Sequence, residues 1–292
     1  MASISSKSLG TLIRIADSDG GNGAANYEIA DINNLVPGGV VLVRKNVYSN
    51  STFGSTTNYP NGTVDNLIKT TIYNEMPQQL RDKMMDVTFN LSGSGNITRK
   101  MFALTYTMAG FGNNGGVAEG KALQLYTSDA SRIKNFNDSA AVWWLSSRYS
   151  YNGAWLVYVG GTADYDNPSR TYGVVPAFAI PQSVMLEDGT NEDGSYNLKF
   201  AEKIACTINM GSTAEMPKSA LPIINCNGNL TLQICNNAND AAPAWEAATN
   251  ETVHTFANAA KTADQWAIGL NIDITRTAGE NLFLNEPVVL TM

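Results

Sequence analysis

The stretch that decides the fold is residues 143–181, WWLSSRYSYNGAWLVYVGGTADYDNPSRTYGVVPAFAIP. Two adjacent tryptophans, Trp143 and Trp144, open it, and residues 173–180 close it as a predicted buried strand. The residues between them are rich in Tyr, Ser, Asn, Asp, Gly and Arg. Tyrosine and tryptophan give large contact area at low entropic cost, while Ser, Asn and Gly give adaptable hydrogen bonding. The pattern predicts a binding surface in an apolar frame, and the alternative is a sheet rim with polar loops.

The composition of the 292-residue chain narrows its class. Charged residues make up 15% of the chain, whereas about 25% is usual. Asn, Thr, Ser, Ala and Gly take their place, which favours a β-rich extracellular or virion protein. The net charge is −7, so we expect no nucleic-acid partner, because phosphate binding needs clustered Lys and Arg. The chain start lacks the apolar core of a signal peptide and no apolar run reaches membrane-spanning length, so we expect neither a signal peptide nor membrane insertion.

Residues that commonly ligate metals or act as nucleophiles are few. The only histidine is His254, and no Cys/His spacing matches a zinc site. An odd number of cysteines argues against a complete disulfide framework and leaves one bridge among them open. We therefore expect no metal and no cofactor. The three cysteines are Cys206, Cys226 and Cys235.

Catalytic motifs are also missing from the sequence. No G-x-S-x-G elbow occurs, and His254 is interpreted as structural. Asp164 and Asp166 alternate around Tyr165 and so share one face of a strand. They are either a carboxylate pair, as in glycoside hydrolases, or solvated loop acids. We expect no enzyme, with a surface-glycan hydrolase as one alternative.

The order of predicted elements indicates two domains. Residues 1–187 contain strands, a predicted helix over 66–73, another after Pro77, and short ones over 119–126 and 129–136. This mixture favours an α+β domain. Residues 188–196 are acidic, contain glycine and lack aliphatic side chains, so they are predicted to be a linker. Short alternating strands then predict an all-β, immunoglobulin-like sandwich over 197–292 that serves anchoring or oligomerisation.

Four motifs of the first domain form a recognisable set: EGKAL (119–123), SR (131–132), WWLSS (143–147) and GVVPAF (173–178). Together they resemble the C-type-lectin-like domains of phage and gut-bacterial proteins. That group is related in fold to the major tropism determinant of phages and to formylglycine-generating enzymes. Ser146 and Val175 stand where the family pattern has arginine, and residues 1–187 contain no counterpart of the catalytic cysteines of the formylglycine-generating enzymes. The resemblance implies a C-type-lectin-like fold for residues 1–187.

The resemblance also implies a function. It predicts a structural protein on the surface of a phage particle, whose receptor-binding domain contacts a host cell-surface protein or glycan. The late loop has the composition of targets of diversity-generating retroelements. Other partners are expected to be virion proteins and further copies of the chain, in a trimer by analogy with tropism proteins. The alternative is a purely structural decoration or baseplate protein whose loop contacts neighbouring virion subunits.

The residues expected to contact the ligand are the polar and aromatic side chains of the late loop. They are Arg148, Tyr149, Tyr151, Asn152, Trp155, Tyr158, Asp164, Tyr165, Asp166, Asn167 and Arg170. The frame of this site is expected to comprise Trp143, Trp144, Gly173 and Pro176. Because adjacent strand residues point to opposite faces, we expect at most one of the two tryptophans in the core.

Overall fold

The structure is a computed structural model, and it describes residues 2–16, 23–200, 202–226, 229–276 and 287–291. Contacts divide the chain into two compact units, Met1–Lys199 and Phe200–Met292. Residues 188–196, predicted to be a linker, lie within the first unit. There the Asp193 carboxylate accepts a hydrogen bond from Asn26 (2.8 Å).

The first unit is built mainly from strands, numbered here in chain order. They are β1 Leu12–Ala16, β2 Ala24–Ile32, β3 Gly39–Arg44, β4 Ser49–Thr52, β5 Val87–Leu91, β6 Gly95–Arg99, β7 Met101–Ala103, β8 Lys134–Phe136, β9 Ser139–Ala141, β10 Trp143–Ser150, β11 Gly153–Val157, β12 Ala163–Asp166, β13 Thr171–Val174, β14 Pro176–Pro181, β15 Met185–Leu186 and β16 Tyr196–Lys199.

Two mixed sheets organise these strands. The larger has the order β15-β16-β1-β2-β3-β14-β7 and the smaller β12-β11-β10-β13-β4. Residues 173–180, predicted as one buried strand, belong to both sheets. β13 lies in the smaller sheet and β14 in the larger, with the buried Val175 between them. This short connection fixes the smaller sheet, which carries the late loop, to the core of the unit.

Helices are few in the first unit. A 3₁₀ turn spans Ile4–Ser6, α2 spans Gln78–Lys83 and α3 spans Asp129–Arg132. The longest helix, α1, has 13 residues. It joins Thr63–Asn66, the π-helical Leu67–Ile72, and Tyr73–Glu75.

Two predicted helices are wrong. Residues 119–126 are irregular, because their backbone N–H groups find acceptors on neighbouring segments. Leu123 donates to Met108 O (3.0 Å) and Leu125 to Ala30 O (2.9 Å). Residues 129–136 form only α3 before β8 begins. Leu123 and Tyr126 are both buried in this irregular segment. Their apolar side chains are therefore spaced as in a helix although no helix forms.

The second unit contains a four-stranded sheet and a three-stranded sheet. Their orders are β17-β22-β19-β20 and β21-β18-β23. Both contribute to one hydrophobic cluster that includes Ala220, Ile234 and Leu270. Its strands are β17 Glu202–Thr213, β18 Ser219–Ile223, β19 Asn229–Cys235, β20 Glu246–Ala248, β21 His254–Thr255, β22 Trp266–Arg276 and β23 Val288–Thr291.

The predicted fold class is wrong in both halves. Strands contain 45% of the residues and helices 10%, with a single helix of 13 residues, so the first unit is not an α+β C-type-lectin-like domain. The second unit is not immunoglobulin-like, because its first strand, β17, pairs with β22. In the immunoglobulin order the first strand joins the sheet of the second, fourth and fifth strands. β16 belongs to the first unit, and the second unit begins with β17.

Candidate functional site

The late loop forms three antiparallel strands at one edge of the five-stranded sheet. β10 turns at residues 151–152 into β11, and β12 pairs with β11 as the edge strand. The register places Trp155 directly opposite Tyr165, and opposite residues of an antiparallel pair share a face. Tyr149 reaches the same face, since its ring contacts both of theirs.

Five aromatic rings form a continuous row on this face, here called the aromatic patch: Tyr106, Phe111, Tyr149, Trp155 and Tyr165. Tyr149 and Tyr165 stack, with ring centroids 3.7 Å apart and planes 19° apart. The Trp155 ring lies edge-on to Tyr149, with ring centroids 4.8 Å apart. The centroids of Trp155 and Tyr106 are 4.3 Å apart, and those of Tyr106 and Phe111 are 5.2 Å apart. Such aromatic pairs contribute about 0.5–1.5 kcal/mol each beyond their buried area. The rings therefore hold one another in position before any partner binds.

The patch and its surroundings concentrate the exposed apolar surface of the first unit. Tyr149 is 44% exposed, Tyr165 49% and Tyr151, at the hairpin turn, 89%. Five of the seven exposed large hydrophobic residues described in this unit lie within 149–165. Exposed apolar residues scattered singly are ordinary, whereas a contiguous group marks an interaction site. The seven are Leu9, Ile133, Tyr149, Tyr151, Tyr158, Val159 and Tyr165.

The two carboxylates of β12 lie on the other face of the sheet. Alternation along the strand places Asp164 and Asp166 opposite to Tyr165. Asp166 accepts a hydrogen bond from the Tyr172 hydroxyl (2.6 Å), and the Tyr172 ring packs on Trp144 at 5.0 Å. This hydrogen bond holds the pKa of the Asp166 carboxyl below its usual value. The Tyr172 hydroxyl therefore holds Asp166 in a structural contact on the face opposite the aromatic patch.

The remaining predicted ligand residues differ in what their side chains contact. Arg148 lies with its guanidinium carbon 6.0 Å from the centre of the exposed Tyr151 ring, while Asn152 is exposed at the hairpin turn. Asn167 accepts hydrogen bonds from the Ser169 backbone and hydroxyl (3.0 and 2.8 Å), so its side chain shapes the loop after β12. Arg170 is exposed in the same loop, and Tyr158 is exposed just after β11.

A buried polar network supports the patch from beneath. The Trp155 indole donates to Asn114 Oδ1 (3.0 Å), and Asn114 Nδ2 donates to Glu119 Oε1 (3.1 Å). The fully buried Glu119 carboxylate also accepts hydrogen bonds from the Ser92 backbone (2.8 Å) and the Ser147 hydroxyl. Ser147 accepts in turn from the Tyr106 backbone N–H (2.7 Å). Two residues of the patch are therefore tied to one carboxylate, Trp155 through its indole and Tyr106 through its backbone N–H.

The predicted frame residues are all buried, including both tryptophans. The expectation that at most one of them lies in the core is wrong, because both faces of β10 are covered. The Trp143 indole donates to Arg132 O (3.1 Å) on one side and the Trp144 indole to Ser51 O (3.0 Å) on the other. Gly173 has no room for a side chain, since a Cβ there would lie 2.7 Å from Val47 Cγ2. Pro176 is buried at the start of β14.

Four residues of the candidate site were not predicted from the sequence. Tyr106 precedes the glycine-rich stretch 110–116, and Phe111 and Asn114 lie within it. In the structure Gly115 and Gly116, at φ +57° and +86°, form a tight turn between Asn114 and Val117. Glu119 opens one of the resemblance motifs, but no local spacing signals that its carboxylate is buried.

Side chains of the metal-ligating types do not cluster in the described part of the chain. No group of three or more His, Cys, Asp or Glu side chains suited to a metal occurs there. His254 Nε2 lies 3.1 Å from Glu246 Oε2, and Glu246 also accepts the backbone N–H groups of Ala257 and Asn258. This pair fixes a loop of the second unit. Among the described residues, no helix is long and apolar enough to cross a membrane.

Comparison with known proteins identifies one family. Residues 37–182, half of the chain, match the family described as "Domain of unknown function (DUF6273)". The match begins just before β3 and ends just after β14, so it includes the whole five-stranded sheet and the aromatic patch. No curated protein and no solved structure matches the chain.

Proposed function

The chain belongs to the DUF6273 family, and we propose that it is a recognition protein whose aromatic patch binds a protein on the surface of a host cell. In this proposal the chain is a structural component of a phage particle and acts without catalysis. The patch makes the contact, with Tyr151, Tyr158 and Arg148 as further contact residues.

One observation carries the proposal: exposed tyrosines are concentrated on a face that is fixed from below. Tyrosine, tryptophan and arginine dominate the binding energy of protein interfaces. Ring stacking and the Glu119 network immobilise Tyr149, Trp155 and Tyr165 beforehand. Preorganisation of this kind reduces the ordering cost of binding, so the surface is suited to recognition.

The geometry favours a protein over a glycan as the partner. Tyr149 and Tyr165 stack on each other, so each has one ring face already occupied. Their ring edges and hydroxyls, with the serines, asparagines and glycines of the hairpin, resemble the composition of antibody paratopes. Location on a phage particle is supported by the low charged fraction, 15%.

Binding of the fluorescently labelled full-length chain to a panel of intact bacterial strains tests the proposal. On a strain that binds, the double variant Tyr149→Ser, Tyr165→Ser should bind at least about 30-fold more weakly, because truncating an interface hot spot costs about 2 kcal/mol or more. The matched control is Leu9→Ser, Ile133→Ser, which removes two exposed apolar side chains of the same unit outside the patch. It should bind like the wild type.

The same assay identifies the partner class. Protease treatment of the cells should abolish binding, and periodate oxidation of their glycans should leave it intact. The reverse pattern would replace the protein by a glycan. Equal binding by both double variants would show that the patch is not the site. If no strain binds and the patch is covered in assembled particles, the purely structural alternative is correct.

A further inference from the structure

We propose that two copies of this chain associate by antiparallel pairing of β17 with the β17 of the second copy, which joins the two four-stranded sheets of the second unit. β17 is an edge strand that pairs only with β22 among the described strands. At 12 residues it is about 40 Å long. This inference concerns the second unit and is independent of the recognition proposed for the patch.

Four other edge strands show how this chain protects a free edge. β7, β15 and β20 have only two or three residues each. On β12 the backbone N–H groups of Tyr165 and Asn167 donate to the Asp164 and Asp166 carboxylates (2.9 and 2.7 Å). Short edges and acidic side chains prevent strand addition. Each of these four edge strands is protected in one of these two ways.

β17 lacks those protections over most of its length. Between Lys203 and Glu215 the sequence contains no charged residue and no proline. Its pairing with β22 is regular from Glu202 to Asn209, and only then does a register shift interrupt it before Ser212. A long, regular and uncharged edge is a template for another strand. An uncharged edge also favours pairing with a second copy, because two chains that each carry a net charge of −7 repel each other.

The side chains of β17 suit such a neighbour on both faces. Cys206, Ile208 and Met210 point toward the hydrophobic cluster but are only partly buried, so a further strand would complete their burial. Ala205, Thr207 and Asn209 are exposed on the other face. In a two-fold antiparallel pair centred on Cys206 or Thr207, apolar residues meet apolar residues and small polar residues meet each other. Contacts of this kind stabilise paired strands.

The side of the second unit that carries β17 is also open to solvent. A cavity of about 410 Å³ is lined there by Met210, Met216, Ile268 and Val289, among others. Val289 belongs to β23, the edge strand of the other sheet, where Val288 and Leu290 are 49% and 50% exposed. Only a two-fold axis lets one edge strand pair with its own copy and close the assembly. A dimer is therefore expected, and not the trimer suggested by analogy.

Light scattering coupled to size-exclusion chromatography of the full chain tests this. The wild type should have twice the 31.3 kDa mass of one chain. Ala205→Lys, Thr207→Lys places like charges opposite each other across the pair and should raise the dimer dissociation constant by about tenfold or more. The control Ala247→Lys, Thr231→Lys makes the same two substitutions at exposed positions of β20 and β19 and should remain dimeric.

Disulfide trapping provides a second measurement in a nearly native chain. Ile208→Cys adds a thiol two residues from Cys206 on the same face of β17. If the antiparallel pair is centred on residue 206, 207 or 208, two of these thiols from different chains lie opposite each other. Mild oxidation should then form a disulfide between the chains. The lysine pair on β17 should prevent the link. A monomeric wild type, a dimer unaffected by the β17 lysines, or a dimer that the added thiol does not link would overturn the proposal.

Discussion

Removal of the buried Glu119 carboxylate provides the sharpest test of how the aromatic patch is supported. Its Oε1 atom accepts two fixed donors, the Ser92 backbone N–H (2.8 Å) and the Asn114 amide (3.1 Å), while Oε2 accepts the Ser147 hydroxyl. Glu119→Leu leaves two donors without this acceptor: the partly buried Ser92 N–H and one N–H of the Asn114 amide, whose other N–H still donates to Arg148 O (2.9 Å). Each costs about 1–3 kcal/mol, so the first unit should lose about 2–6 kcal/mol of its free energy of unfolding.

The isosteric change Glu119→Gln should be much milder. The glutamine oxygen keeps both fixed donors, and its NH₂ group donates to Ser147 Oγ, which has a second lone pair available. Only the Ser147 proton loses its acceptor, at a cost of about 0.5–1.5 kcal/mol. The exposed Glu192→Leu is the matched control and should leave stability unchanged.

Native-state hydrogen exchange of β10 peptides reports the stability of the first unit alone, because β10 lies in its core. The same Leu variant should alter Trp155 fluorescence, since Asn114 holds the indole N–H (3.0 Å). A change in the unfolding free energy of less than about 0.5 kcal/mol in Glu119→Leu would show that the carboxylate does not support the patch. Equal destabilisation of the Gln and Leu variants would show the same.

Two further predictions concern other parts of the first unit. Gly173→Ala should lower the free energy of unfolding by about 1–3 kcal/mol, because its Cβ would lie 2.7 Å from Val47, whereas Gly160→Ala, with nothing within 4 Å, should be neutral in chemical denaturation. Burial raises the pKa of the Asp65 carboxyl. The hydrogen bonds that Arg99 donates to it and the positive charge of Arg99 outweigh this effect and hold the pKa below 3.8. A lowered folded-state pKa contributes stability above 3.8 that is lost as the pH falls through the folded value. The difference in melting temperature between wild type and Asp65→Asn should therefore shrink from pH 6 to pH 3, and a constant difference would contradict this assignment.

Local patterns predicted the strands of this fold better than its class. Residues 87–91 form β5 as their alternation indicates, and the apolar run at 173–180 is buried as expected. The class was wrong because apolar spacing at Leu123 and Tyr126 reflects burial of an irregular segment. The backbone N–H groups of such a segment can bond within the segment or to another element such as β2. Which of these occurs depends on tertiary partners, and the spacing of apolar residues does not reveal them.

The site was predicted in part. Tyr149, Tyr151, Trp155 and Tyr165 lie together at the sheet edge, whereas Asp164 and Asp166 lie on the opposite face. Strand parity alone separates these groups once β12 is known to be a regular strand. Glu119 and Tyr106 were missed because they reach the site from loops distant in sequence, where no periodicity applies.

Covalent footprinting of tyrosines tests most directly whether the aromatic patch is the recognition surface. The full-length chain is labelled free and bound to cells of a strain that it recognises, and modification is quantified by mass spectrometry. We expect strong protection of Tyr149, Tyr151 and Tyr165 in the bound chain. Tyr73 and Tyr196 lie outside the patch and should be labelled equally in both states. Unchanged labelling of the three patch tyrosines on a cell-bound chain would show that the patch is not the recognition surface.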